Sequence, residues 1–297
     1  MLKGIFCSLL ASLFFGGLYY LATLLRPLSG ESLFGIRMVV TLPFLALAIL
    51  LLKQQAQFWQ FVQRLKREPF LILVLCVTSM IVGSQMWLFL YAPNSGRAME
   101  VSIGYLLMPI AMVAFGKFIY KEHLSINKWL AIIFAGIGVL SNIILLGKLS
   151  WESVFVFSGY PIYFHLRRKY QISHIHSFLF EILLLIPISL YFISQTDMNF
   201  VANENPNIYY FIALLGLMSG IALISYTLAS SLVPFNLLGL LGYVEPSFML
   251  LISFLIGETL KTESYILMGC LSIAVALLIF DGILVLIKQQ RLRKKNG

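Results

Sequence analysis

The sequence predicts an all-α integral membrane protein of ten transmembrane helices, arranged as two inverted five-helix repeats. Three observations carry that expectation. Hydrophobic residues fill 60% of the 297 positions and charged residues 11%, and mean hydropathy is +0.92, which leaves too little polar surface to coat a water-soluble globule. Apolar stretches of about 20 residues, the length that spans a hydrocarbon core ~30 Å thick, recur along the chain. They fall at 4–25, 33–52, 70–92, 99–120, 127–147, 152–168, 175–195, 207–230, 235–257 and 264–287, which leaves no room for a sizeable soluble domain. One local pattern also occurs twice: Gly104-Tyr105, Pro109 and an apolar run to Glu122 are matched by Gly242-Tyr243, Pro246 and a run to Glu258.

In chain order, Lys3 precedes an apolar run from Gly4 to Leu25. That run is longer than the apolar region of a secretion signal and ends in no small-residue cleavage site, so it reads as a retained span. It carries Phe15-Gly16-Gly17 and reaches Arg26 nine residues after Gly17; the sixth segment carries Phe157-Ser158-Gly159 and reaches Arg168 nine residues after Gly159. This second echo divides the chain into repeats at 1–147 and 148–297, with five segments each. An odd number of crossings forces the two copies to enter the membrane from opposite faces, which gives a pseudo-two-fold axis in the membrane plane. Pro109 and Pro246, with Gly104 and Gly242 just before them, predict breaks in the fourth and ninth helices. The sixth segment has a short uncharged core, Ser153 to Leu166, containing Gly159 and Pro161, and a re-entrant or interfacial piece is the alternative to a span. Between segments two and three, Lys53 to Glu68 mixes Phe58, Trp59, Phe61 and Val62 with glutamines and basic residues. It reads either as an amphipathic helix in the headgroups or as a solvated loop with an aromatic anchor. Thr196 to Asn207 reads as a plain loop.

The net charge of +9 is informative through its distribution. With the N-terminus inside, Lys3, Lys53, Arg64, Lys66, Arg67, Lys117, Lys121, Lys128, Arg167, Arg168, Lys169 and the tail residues Lys288, Arg291, Arg293, Lys294 and Lys295 all fall on the cytoplasmic side. The opposite side holds Arg26, Arg97, Lys148 and Lys261. Sixteen against four predicts both termini in the cytoplasm of a bacterial cell, with the chain in the inner membrane. The basic tail then reads as a topological anchor, not a nucleic-acid site. Cys7, Cys76 and Cys270 sit inside spans at unrelated spacings, with neither a disulfide framework nor a metal-ligand pattern, and no cofactor is expected.

Polar groups at membrane depth cost free energy unless they are paired or face water, so each is a functional candidate. Glu245 stands near the middle of segment nine, beside Pro246, as a substrate contact or protonatable group, or alternatively as a cap on amides freed by the break. Arg37 lies about two turns into segment two and either contacts substrate, pairs with an acid or snorkels outward. Glu181 suits helix pairing as well as transport. Gln85 and Trp87 line the same candidate pathway or pack within the bundle. Tyr105 and Tyr243 occupy matching repeat positions. His165, His174 and His176 gather near the inner loop, and Glu122 and Glu258 read as helix-end residues.

Trp87-Leu-Phe-Leu-Tyr-Ala-Pro93, Val101-Ser-Ile-Gly-Tyr105, Gly159-Tyr-Pro-Ile-Tyr163 with Arg167-Arg168, and Gly242-Tyr-Val-Glu-Pro246 occur in an order and spacing that resembles the RarD-type branch of the EamA drug/metabolite transporter family. The resemblance extends over nearly the whole chain. Met108 and Glu245 depart from the commoner pattern. What the resemblance implies is a secondary transporter that moves a small metabolite or drug-like compound across the inner membrane by alternating access, with export as the expected direction. Its partners would be the small-molecule substrate, the lipid bilayer and, through Glu245, protons. Two other classes stay open: a non-transporting assembly or sensor protein, and a membrane-embedded enzyme. The latter would need paired acids, a metal cluster or an activated nucleophile, and no such constellation stands out.

Overall fold

A computed structural model of the chain describes residues 2–121, 123–147, 149–233, 237–238 and 241–295, and among them every regular element is helical. The first half contributes α1 (Leu2–Leu24), α2 (Gly30–Leu51), α3 (Gln55–Arg67), α4 (Phe70–Tyr91), α5 (Ala98–Tyr120) and α6 (Ile126–Leu146). The second contributes α7 (Trp151–Lys169), α8 (Ile175–Ser194), α9 (Met198–Glu204), α10 (Ile208–Leu232), α11 (Val244–Leu255) and α12 (Tyr265–Lys295). Eight of these are long and apolar enough to cross a membrane. The two further expected spans differ. α7 is one unbroken helix of 19 residues, ~28 Å long at 1.5 Å per residue, but is less apolar than the eight. α11 covers only the later part of the ninth segment, because much of 235–243 lies outside the described residues, as does Glu122.

Helix packing follows a closed order. α1 packs on α10, α10 on α2, α2 on α8, α8 on α4, α4 on α7, α7 on α5, α5 on α11, and α11 returns to α1. Around this ring every helix of the first half lies between two of the second. α6 and α12 pack on each other outside the ring and touch it through α5. The principal core cluster, with Leu18, Tyr19, Leu33, Leu88, Phe89, Tyr105, Val156, Leu215 and Met249, draws on seven of the ring helices, so the centre of the bundle belongs to neither half alone.

One open local expectation is decided and two are corrected. Lys53 to Glu68 forms the helix α3, with Phe61 and Leu65 buried and Trp59 exposed, the amphipathic of the two readings. Thr196 to Asn207 is not a plain loop: the Asp197 carboxylate accepts the Asn199 and Phe200 amides and starts α9, and Asn205 Nδ2 donates to the carbonyls of Leu24 and Arg26. The break expected at Gly104 and Pro109 is absent, since α5 runs through both. A proline inside a helix forfeits one backbone hydrogen bond, and here that loss does not end the helix. At the repeat position, by contrast, Gly242 and Tyr243 do form a turn, and Pro246 sits in the first turn of α11, where no intrahelical donor is needed.

Gly104 therefore serves contact instead of chain bending. A Cβ there would lie 2.9 Å from the Ser153 Cα and 3.0 Å from the Ser153 carbonyl oxygen, both backbone atoms of α7. Gly104→Ala is expected to lower thermal stability by about 1–3 kcal/mol through overpacking. Gly136→Ala, where nothing lies within 4 Å of the added Cβ, is expected to be neutral or slightly stabilising. Thermal unfolding of the two purified variants checks the pair.

Candidate functional site

Ser29 starts α2 by accepting the Ser32 amide on its hydroxyl at 3.2 Å, and about two turns later the helix presents Arg37 to the ring interior. Only 5% of Arg37 is exposed, its Nε lacks any partner, and no carboxylate lies within ion-pair distance among the described residues. What the guanidinium does have is an aromatic face: it lies over the Phe89 ring at 5.2 Å. Phe89 stands edge-on to Tyr105 at 6.2 Å and against Tyr19 at 5.0 Å. The Tyr105 and Tyr160 hydroxyls are hydrogen-bonded at 2.9 Å and their rings lie 5.6 Å apart. Two hydroxyls that share one hydrogen bond leave one O–H hydrogen free for another acceptor.

Glu245 enters from the first turn of α11. Met249, one turn after Glu245 on the same helix, belongs to the core cluster that holds Phe89 and Tyr105. Arg37 and Glu245 form no ion pair, and Glu245 has no hydrogen-bond partner among the described residues. One turn before Phe89, on the same face of α4, Gln85 donates its Nε2 to the Phe155 carbonyl at 2.7 Å while its buried Oε1 is left without a donor. Gly159 makes room for that amide, since a Cβ there would collide with Gln85 Nε2.

The structure thus brings Arg37, Tyr105, Gln85 and Glu245 to one region and adds Phe89 and Tyr160, which sequence reasoning did not single out. Tyr160 had a signal: Gly159-Tyr160-Pro161 is a third Gly-Tyr pair ahead of a proline. Trp87 borders the region, donating to Glu31 at 3.3 Å and stacking on Tyr91 at 4.9 Å. Tyr243 does not join. It packs with Met99, Ile103, Leu267 and Leu271 in the core beneath α12.

Glu181 also lies apart, fully buried between α7, α8 and α4. Its Oε2 accepts Arg167 Nη1 at 2.5 Å and the Tyr163 hydroxyl at 2.8 Å, and Arg167 Nη2 donates to the His174 carbonyl at 3.0 Å. Ser79 of α4 donates to the Glu181 carbonyl at 2.7 Å, which ties the pair to a third helix. His165 accepts or donates through Nδ1 to the Tyr120 hydroxyl at 2.8 Å. Glu258 is a helix-end residue in a specific sense: its two carboxylate oxygens accept the Ala98 and Met99 amides at 2.8 and 2.5 Å and cap α5. Burial pushes its carboxyl above the usual range, and the two amide donors work against that shift.

No group of three or more His, Cys, Asp or Glu side chains suited to a metal occurs among the described residues, and Cys7, Cys76 and Cys270 are unpaired. A concavity of about 510 Å³ lined by Arg64, Glu68, Phe70, Lys169 and Tyr170 lies at the helix ends, away from the Arg37 cluster.

Residues 2–144 match the model of the EamA-like transporter family. An uncharacterized transporter of Haemophilus influenzae is 50% identical over 283 residues, with 95% of each chain covered. An uncharacterized transporter of Pasteurella multocida is 49% identical, covering 95% of this chain and 97% of its own. The chloramphenicol-sensitive protein RarD of Pseudomonas aeruginosa is 33% identical over 97% of both. A solved crystal structure with 14% identity superposes with a TM-score of 0.56 over 94% of this chain and 98% of the other, a likeness of fold alone.

Proposed function

Because the chain belongs to the EamA-like transporter family, on its RarD branch, we propose that it is a secondary transporter of the bacterial inner membrane that exports a small metabolite or drug-like compound by alternating access. The observation that carries this reading is the buried Arg37, without ion pair or hydrogen bond among the described residues, inside a ring of helices. A bare guanidinium at membrane depth is costly to keep unless something that passes through the bundle uses it. The repeats at 1–147 and 148–297 support the same mechanism. Exchanging α1 with α7, α2 with α8, α4 with α10 and α5 with α11 maps the packing order of the ring onto itself, which fits a duplicated chain.

Proteoliposomes loaded with a bacterial small-molecule extract test the proposal. Mass spectrometry is expected to find compounds lost from liposomes holding the protein and retained in empty ones. If nothing moves, the transport reading fails. One relative is named for sensitivity to chloramphenicol, which makes that compound a first single substrate to try.

The topology makes a separate prediction. Reporter fusions at Gly297 and within the Lys53–Glu68 segment are both expected to read cytoplasmic, as the sixteen-to-four basic bias requires. An outward signal from either position would defeat the inverted arrangement.

A further inference from the structure

We propose that the concavity where the ends of α3, α4 and α7 meet binds the headgroup of an anionic phospholipid, of the phosphatidylglycerol type, with its phosphate on Lys169 and an acyl chain along α4. The concavity lies at the end of the bundle that the basic bias assigns to the cytoplasm. Such a site is independent of what the ring transports.

The first ground is that its walls are pinned to one another. Arg64 of α3 donates Nη1 to the Gln171 carbonyl at 3.2 Å and Nη2 to the Tyr170 carbonyl at 3.1 Å, which joins a helix of the first half to the turn after α7. Beneath them Phe61, Leu65, Leu71 and the fully buried Ile172 form one apolar cluster. The rings of Phe70 and Tyr170 stand 5.8 Å apart. The space of about 510 Å³ that they border is thus framed by packed helix ends.

The second ground is charge. Arg64 is paired with Glu68 at 3.3 Å, whereas Lys169 forms no ion pair among the described residues and rests over the Tyr170 ring at 5.5 Å. Two cations and one carboxylate give the lining one net positive charge, and Lys66 and Arg67 follow on the last turn of α3. A phosphodiester brings the single negative charge that balances it. Headgroup hydroxyls suit Glu68, a carboxylate that can only accept hydrogen bonds. An ammonium headgroup would instead meet Lys169 and the basic turn.

The third ground is what lies next to the concavity. As α4 leaves it, Phe70, Leu73, Val77 and Met80 are all exposed, and their spacing puts them on one face of the helix. Ten steps of ~1.5 Å carry this apolar stripe ~15 Å, half of a hydrocarbon core ~30 Å thick and so the depth of one leaflet. A free phosphate would use the head of this surface and leave the stripe bare. A phospholipid uses both.

The test follows thermal unfolding of the delipidated full chain in a neutral detergent. Four probes are titrated: dioleoyl phosphatidylglycerol, dioleoyl phosphatidylethanolamine, sn-glycerol 3-phosphate and inorganic phosphate. Phosphatidylglycerol is expected to stabilise the wild type saturably, phosphatidylethanolamine to act ~5-fold or more weakly, and the two soluble phosphates to do nothing at the same concentration. Lys169 is exposed, so Lys169→Gln leaves the fold intact. That variant is expected to need ~5-fold more phosphatidylglycerol for half of the effect. Lys3→Gln, which removes a basic residue from the same side of the membrane on α1, is expected to behave as wild type. An equal response to both lipids, an equal loss in both variants, stabilisation by the soluble phosphates, or no saturable effect of phosphatidylglycerol would overturn the site.

Discussion

Arg37→Met is expected to reduce transport by ~10- to 100-fold and, in the same protein preparation, to raise thermal stability. A hydrogen bond to a charged group is worth about 1.5–3 kcal/mol, which sets the fold-change if substrate leans on this guanidinium. The stability change has the opposite sign because, among the described residues, Arg37 has no ion pair or hydrogen bond to lose, only its place over the Phe89 ring. An unpaired charge at membrane depth costs at least ~2.5 kcal/mol, and methionine, similar in length and apolar, removes that cost. Flux in proteoliposomes and thermal unfolding of the detergent-purified variant measure the two effects. A drop in both would mean that Arg37 holds the bundle together, and the site would have to be sought elsewhere.

Arg167→Met is expected to do the reverse to stability. This arginine is paired, so its removal strands Glu181, which is fully buried and already has one carboxylate oxygen without a donor. Breaking a buried pair from one side costs about 3–5 kcal/mol. Replacing both residues together, Arg167→Met with Glu181→Leu, is expected to recover most of that loss, because an apolar pair leaves no charge behind. The same substitution at two buried arginines thus moves the melting temperature in opposite directions. What decides the sign is whether a carboxylate stands within reach.

That distinction marks where sequence reading stopped. Helix positions were legible because the bilayer imposes a length: the apolar segments at 70–92, 127–147 and 175–195 agree within a residue with α4, α6 and α8. Arg37, Gln85 and Glu245 were legible as a group because polar residues are costly at that depth. Partnership was not. Glu181 and Glu245 look alike in sequence, each a lone acid within an apolar run. Only the fold shows that Arg167, 14 positions before Glu181, comes round to meet it across the α7–α8 turn, whereas Glu245 forms no ion pair among the described residues. Tyr105 and Tyr243 share a repeat position but not an environment, since one faces the Arg37 cluster and the other is covered by α12. Gly104 and Gly242 likewise share a motif and differ in use, one for close helix contact and one for a turn.

The alternation of halves around the ring bears on how the molecule is made. When synthesis has passed Leu146, six helices exist, yet α1, α2, α4 and α5 still lack the helices that will flank them on both sides. The first half must wait in the lipid with its polar faces, Arg37 and Gln85 among them, uncovered, until the later helices slot in between. Assembly by insertion between existing helices, not by docking of two finished halves, gives most ring contacts a long sequence separation and makes the closure of α11 against α1 the step that completes the ring.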